Sequence, residues 1–265
     1  MAKNFVTGID VGTHEVRVMI GEKNPEKPED LPFIIGAGEA HSSGLRYGYI
    51  NNKTDIQKSI LEALNLAEKQ AKVKTKKAYL AIGGVGLESF VSAGSVMISR
   101  ADSEITEMDI SKCIEMAEES LKMSGGLLNR HILQHNPISY KIDSKEVLGR
   151  PIGMKGAKIE ARILFITCLE QHLNDLIETI NELGVEIEDI VPSPIVAAEA
   201  VLTKTQKIAG CVLVNIGAET VSIIVYENDT PISIKVFPIG GTDITNDIAL
   251  GLQIPLEEAE QLKIG

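Results

Sequence analysis

Two short polar motifs hold the residue types that can handle a phosphate: Asp10-Val11-Gly12-Thr13 and Asn215-Ile216-Gly217-Ala218. Each joins a carboxylate or amide oxygen, able to accept a hydrogen bond from a metal-bound water, to a glycine that lets backbone N–H groups approach an anion closely. The first lies between the apolar runs 5–9 and 16–20, the second between 211–214 and 221–226. This patterning predicts strand, tight polar turn, strand: a β-hairpin used twice. Two such hairpins far apart in sequence predict two related units that face each other across a cleft. Later, Gly240-Gly241 precedes a predicted helix, and Glu260 and Lys263 are three apart on another, so both lie on one face. By local sequence alone, Gly240-Gly241 is equally a strand-to-helix turn, and Glu260 and Lys263 read first as an exposed acidic–basic face.

The elements that must position these residues follow from periodicity. Strands are predicted over 5–11, 16–22 and 33–41, with a charged, proline-containing loop over 23–32. A helix begins at Thr54, with Gln57 placed to complete a capping box, and carries the stripe Ile56, Ile60, Ala63, Leu64, Ala67 and Ala71. A strand over 78–82 ends at Gly83-Gly84. The pattern then changes to a strand over 88–99, a Thr106-capped helix closed by Gly125-Gly126, and strands over 131–142 and 158–167. Afterwards α/β alternation resumes. An amphipathic helix over 169–183 stops at Gly184, followed by a strand over 186–191 and a short helix over 195–202. A second meander covers 211–215, 220–226 and 232–238, with a turn at Asn228-Asp229, and helices follow over 242–252 and 255–264. The second core thus receives its meander and little else, and the chain is expected to be a fragment.

Composition excludes several functions. The 265 residues carry a net charge of −11, from 26 basic and 37 acidic residues, with no long basic run, which speaks against a nucleic-acid surface. Trp is absent and aromatics make up 4%, too few for stacking platforms. The three cysteines, Cys113, Cys168 and Cys211, sit among apolar neighbours and read as packing residues in a reducing compartment. No stretch is long enough to span a bilayer and no signal peptide precedes Phe5, so the cytoplasm is expected. His131 and His135 lie in an extended run, ~13 Å apart, and make no metal pair.

Meander, helix, strand resembles the ribonuclease-H-like core of the actin-like families. The segment Val191-Pro192-Ser193-Pro194-Ile195, running on to Thr203, resembles the lead into the second half of FtsA, the actin-like bacterial cell-division family. So do Ile239-Gly240-Gly241-Thr242-Asp243, running on to Ala249, and Pro255-Leu256-Glu257-Glu258-Ala259-Glu260, running on to Lys263. Gly149-Arg150-Pro151-Ile152-Gly153-Met154-Lys155-Gly156 resembles the close of that family's inserted subdomain. The likeness runs over essentially the whole chain. It implies an α/β, actin-like (ribonuclease-H-like) ATPase fold with a strand-helix-strand-strand insertion and an incomplete second core. Subdomain IA is then 1–84 with 166–200, the SHS2-like subdomain IC is 85–165, and 201–265 begins subdomain IIA.

Carried over by position, the resemblance implies ATP and magnesium as cofactors. Asp10 would hold magnesium through water, and Gly12 and Thr13 would donate to the β- and γ-phosphates, with His14 beside them. Asn215, Gly217 and Thr220 would form the second phosphate loop, Gly240 and Gly241 would lie beside the ribose, and Glu260 and Lys263 would contact the adenosine. The second loop departs from the family's Asp-Ile-Gly-Gly-Gly-Thr-Thr-Asp: Asn215 brings no charge, and Ala218 and Glu219 replace glycines, where positive φ becomes costly. Glu219 is expected to turn to solvent, because two like charges ~4 Å apart cost about 4 kcal/mol at an effective dielectric of ~20. Ser193 lies where some distant actin-fold ATPases place a catalytic glutamate, and no general base is identified. Nucleotide binding with weak or no hydrolysis is therefore expected.

The resemblance further implies partners: FtsZ, copies of the chain in filaments, other division proteins through the insertion, and the inner face of the cytoplasmic membrane at the division site through a later C-terminal segment. Two alternatives are weighed. One is a PilM-like pilus-assembly scaffold, which would bind a short peptide in an insertion-side cleft. The other is an actin-fold small-molecule kinase, for which the sequence shows neither a carboxylate base nor a substrate pocket.

Overall fold

The computed structural model describes residues 5–24, 26–27 and 30–265; part of the loop expected at 23–32 lies outside the described residues. β1 (Phe5–Val11), β2 (Glu15–Glu22) and β3 (Phe33–His41) form an antiparallel meander. Ile9 on β1 and Val16, Val18 and Ile20 on β2 are buried on one face, because alternate strand residues point the same way, and Arg17 therefore points to the other. A short ribbon not anticipated from sequence follows, β4 (Leu45–Arg46) and β5 (Tyr49–Ile50). Its two-residue turn, Tyr47-Gly48, is left-handed at both positions, φ 52° and 88°, the backbone that a tight hairpin needs.

α1 (Lys53–Ala71) packs its predicted stripe on the meander. Its cap is Asn52 and not Thr54: the Asn52 side chain accepts the Asp55 N–H at 3.3 Å and donates to the Asp55 carboxylate at 2.7 Å. Asparagine at an extended backbone position satisfies an orphan donor, and Asp55 in the first turn suits the helix dipole. β6 (Lys77–Ile82) then returns parallel to β1.

The next block comprises β7 (Leu87–Met97), α2 (Glu107–Met123), β8 (Arg130–Ile142), β9 (Lys145–Val147) and β10 (Lys158–Leu169). β10 pairs antiparallel with both β7 and β8. A separate apolar cluster, including Ile105, Cys113, Ile159, Ile163 and Phe165, lies between this sheet and α2. The start of α2 is fixed by the Thr106–Asp109 capping box.

α3 (Glu170–Asn181), β11 (Glu186–Pro192), α4 (Ser193–Val201) and α5 (Lys204–Ala209) follow; α5 is a short helix that the sequence reading omitted. β11 joins β6 in parallel, giving a five-stranded sheet in the order β11-β6-β1-β2-β3. The last elements are β12 (Cys211–Ile216), β13 (Val221–Glu227), β14 (Thr230–Phe237), α6 (Gly241–Leu252) and α7 (Leu256–Ile264).

The second meander continues into the inserted block as one seven-stranded sheet, β12-β13-β14-β7-β10-β8-β9. The join is narrow: Lys235 pairs with Glu88, and the Ser89 hydroxyl accepts from Ile234 N at 2.8 Å and donates to its carbonyl at 2.9 Å. The three cysteines are free, with Cys113 and Cys168 buried. Among the described residues no helix is long and apolar enough to cross a membrane.

Candidate functional site

The two polar turns have one geometry. In the β1–β2 turn the Gly12 N–H donates to the Glu15 carbonyl at 3.1 Å; in the β12–β13 turn the Gly217 N–H donates to the Thr220 carbonyl at 2.8 Å. A Cβ at Gly12 would stand 2.9 Å from that carbonyl oxygen and one at Gly217 3.1 Å from its counterpart, so close approach demands glycine at the first and favours it at the second. Among the described residues, the N–H groups at the tips, Thr13 and His14 in the first turn and Ala218 and Glu219 in the second, have no protein acceptor. Successive free N–H groups of this kind are anion donors. Both turns line one cavity of about 950 Å³.

Asp10 closes β1 opposite Arg17 on β2 and lines the same cavity. Burial pushes its carboxyl above the ordinary range, while the Arg17 guanidinium and the Ser193 hydroxyl pull it back. Arg17 is itself held by Glu15 at 2.6 Å and Glu39 at 3.3 Å. A half-buried carboxylate whose Arg17 neighbour is shared with Glu15 and Glu39 favours a cation. Among the described residues no group of three His, Cys, Asp or Glu could hold a metal directly. The residues fit magnesium in the form this ion prefers with phosphates, where one carboxylate acts with retained waters and phosphate oxygens.

The second turn departs from expectation in two respects. Neither Ala218 nor Glu219 adopts positive φ, so the substituted loop carries no left-handed strain. Glu219 also does not turn to solvent: half-buried, it accepts the Tyr47 N–H at 2.6 Å, across to the β4–β5 turn. That backbone donor gives the carboxylate a partner away from the cavity. Asn215 is exposed and lines the cavity with Gly217 and Thr220.

Gly240 and Gly241 serve the loop before any ligand. The N–H groups of Gly241 and Thr242 donate to the carbonyls of Gly217 and Ala218 at 2.9 and 2.8 Å, and the Gly240 N–H donates to Asp243 at 2.7 Å. A Cβ at Gly240 would lie 2.4 Å from the Ala218 oxygen, so this glycine sits behind the loop, whereas Gly241 reaches the cavity wall. The first donors of α6 are thus occupied by protein.

Beside the second turn, where Gly241 bonds Gly217, α7 supplies Glu260 and Lys263 to the cavity lining. The Lys263 ammonium donates to Glu260 at 2.6 Å, to the Thr245 hydroxyl at 2.9 Å and to the Gly241 carbonyl at 3.2 Å. Lys263, and then a hydrogen bond from Thr245, hold the Glu260 carboxyl below its usual range. The cavity therefore gathers Asp10, Gly12, Thr13, Asn215, Gly217, Thr220, Gly241, Glu260 and Lys263, with Gly240 one layer behind. Contributors that the sequence reading missed include Arg17 and Thr245 in the lining, and Tyr47 just behind it as the partner of Glu219. Arg17 was findable, being polar between buried Val16 and Val18; Thr245 lies one helical turn after Gly241. Tyr47 carries no sequence signal, since it acts through its backbone. Ser193 lines the cavity beside Asp10.

Comparison with known proteins agrees with this architecture. A family model described as "Cell division protein FtsA" matches residues 212–265, and one described as "SHS2 domain inserted in FTSA" matches residues 84–167. The cell division protein FtsA of Neisseria meningitidis serogroup B is 32% identical over 262 residues, 99% of this chain and 61% of that protein. FtsA of Pseudomonas aeruginosa is 29% identical over 260 residues, covering 98% and 60%. The chain thus spans about three-fifths of the length of these relatives. Among solved structures, a PilM-PilN type IV pilus biogenesis complex superposes with a TM-score of 0.64 at 14% identity, over 97% of this chain and 68% of that one. The ethanolamine utilization protein EutJ from Carboxydothermus hydrogenoformans gives 0.55 at 15% identity, over 100% and 63%. These likenesses show the fold, which is the actin-like ATPase fold with an SHS2 insertion. Similar along nearly its whole length to the cell division protein FtsA, and matched by two models of that family, the chain is an FtsA-like protein.

Proposed function

We propose that the chain carries the nucleotide cleft of an FtsA-like division adaptor, binding an adenine nucleotide with magnesium and hydrolysing it slowly or not at all. One observation supports this most: two glycine turns of the same geometry present free N–H groups to a single cavity, which the Lys263–Glu260 pair also lines. In this reading the turn-tip N–H groups of Thr13 and His14 take the phosphates, Asp10 orients the waters of magnesium, and the α7 pair faces the adenosine. Bound magnesium would neutralise phosphate charge. Low turnover follows from Asn215, which supplies no second metal-side carboxylate at the second turn.

The resemblance extends the reading to the whole protein. It would join FtsZ to the inner face of the cytoplasmic membrane at the septum, associate with itself in filaments, and meet other division proteins through residues 85–165. These roles rest on the family relationship. Three working units, 1–84 with 166–200, 85–165 and 201–265, follow from the same reading. The pilus-scaffold alternative rests on fold likeness alone at 14% identity, against 32% identity for FtsA.

The experiment is calorimetric titration of the full-length protein with ADP and ATP in magnesium, alongside phosphate release and co-sedimentation with FtsZ. Micromolar binding, negligible turnover and co-sedimentation are expected. No binding of either nucleotide overturns the cleft reading; phosphate transfer to a small molecule favours a kinase.

A further inference from the structure

The Glu219–Tyr47 hydrogen bond is unusual in what it connects. Among the described residues it is the one hydrogen bond between residues 5–84 and residues 211–265, its partners lying 172 positions apart. Its acceptor, at the tip of the second turn, stands where His14 stands in the first when the turns are aligned on their Gly12 and Gly217 bonds. Its donor is in the left-handed Tyr47-Gly48 turn, which is bolted to the cavity wall: Val85 N donates to the Tyr47 carbonyl at 3.1 Å, and a Cβ on Gly48 would stand 2.5 Å from Gly84 Cα. Gly48, Gly83 and Gly84 all line the cavity beside the two turns. Glu219 therefore straps the tip of the second turn to a ribbon whose Gly48 borders the cavity.

We propose that Glu219 is a specificity residue: its carboxylate, held on the Tyr47 N–H, straps the phosphate end of the cleft and suits it to a nucleoside diphosphate over a triphosphate. The proposal rests on the nucleotide reading of the cleft. The first turn keeps what a pyrophosphate group needs, the free N–H groups of Thr13 and His14 with Asp10 for the waters of a cation. A third phosphate adds negative charge close to the second turn, whose tip carries the Glu219 carboxylate just outside the cavity lining, between Ala218 and Thr220, which do line it. The partner of Glu219 is a neutral N–H, so its charge is not cancelled. This repulsion acts more strongly on the triphosphate than on the diphosphate.

The test is titration of the full chain, in magnesium, with ADP and with ATP, for the unmodified protein, Glu219→Gln and Glu219→Ala. ADP should bind about tenfold more tightly than ATP to the unmodified protein, as expected for one uncompensated like charge near the ligand in a partly solvated site. Glu219→Gln keeps an oxygen for Tyr47 and loses the charge, so it should raise ATP affinity and leave ADP within about twofold. Glu219→Ala should in addition speed the release of both nucleotides. Equal affinities in the unmodified protein, or a ratio that Glu219→Gln does not move while both nucleotides bind, overturns this proposal alone. Failure of both nucleotides to bind all three folded proteins overturns the cleft reading and this proposal with it.

Discussion

Lys263 and Thr245, on successive helices, meet at 2.9 Å, and through this contact α7 is tied to α6 at the rim of the cavity. Lys263 also bonds Glu260 and the Gly241 carbonyl, so one ammonium organises a helix pair and a cavity wall together. Lys263→Met should weaken adenine-nucleotide binding by about tenfold while leaving the circular dichroism of the protein unchanged. Equal affinity in calorimetry would remove Lys263 from the site.

Asp10 offers a test of charge. Its folded carboxyl is pushed up by burial, so the folded state binds more protons than the unfolded one between the two pKa values, and stability falls as pH rises through that window. Above it the buried charge is a standing cost. Asp10→Asn should therefore raise the melting temperature of the ligand-free protein at pH 7 and abolish any magnesium-dependent gain in nucleotide affinity. A lower melting temperature in differential scanning would show that Arg17 and Ser193 already compensate the charge.

The second turn predicts a separable effect of its substitutions. Asn215→Asp with Ala218→Gly and Glu219→Gly should tighten magnesium-ATP binding about tenfold or more, read by calorimetry. Because Ala218 has no positive φ, Ala218→Gly alone should contribute nothing by strain relief and should cost a few tenths of a kcal/mol to about 1 kcal/mol in stability. The unmodified full-length protein should release phosphate barely above background.

In the inserted block, Arg100 beside Asp109, helped by hydrogen bonds from Thr106, holds the Asp109 carboxyl at about 2. A depressed carboxylate pKa gives stability that is complete above the ordinary value near 3.8 and is lost as pH falls through about 2. Asp109→Asn should destabilise the α2 region by roughly 1–2 kcal/mol at pH 7, the usual cost of a damaged cap, and should flatten the acid limb of thermal stability between pH 4 and 2. An unchanged acid limb would assign it to other carboxylates.

Local chemistry determined much of this protein from the sequence alone. Strand bounds such as Phe5–Val11 and Phe33–His41 were legible because alternation of buried and exposed residues is a local pattern. The Thr106 cap was legible because its box closes within four residues. The paired glycine turns were legible because close backbone approach admits few other residues. The start of α1 was misplaced because Asn52 and Thr54 are both good caps, and the choice depends on which backbone is extended. Only the tertiary structure decided what Glu219 does: its partner is a backbone N–H on a ribbon too short to announce itself, 172 residues away. The same holds for Gly240 and Gly241, whose glycine types were visible in sequence but whose N–H groups and close contacts are used by a loop that arrives from another hairpin. The shared sheet between the second meander and the inserted block was equally invisible, since it rests on Lys235 meeting Glu88, and long-range pairing leaves no periodic trace in either strand.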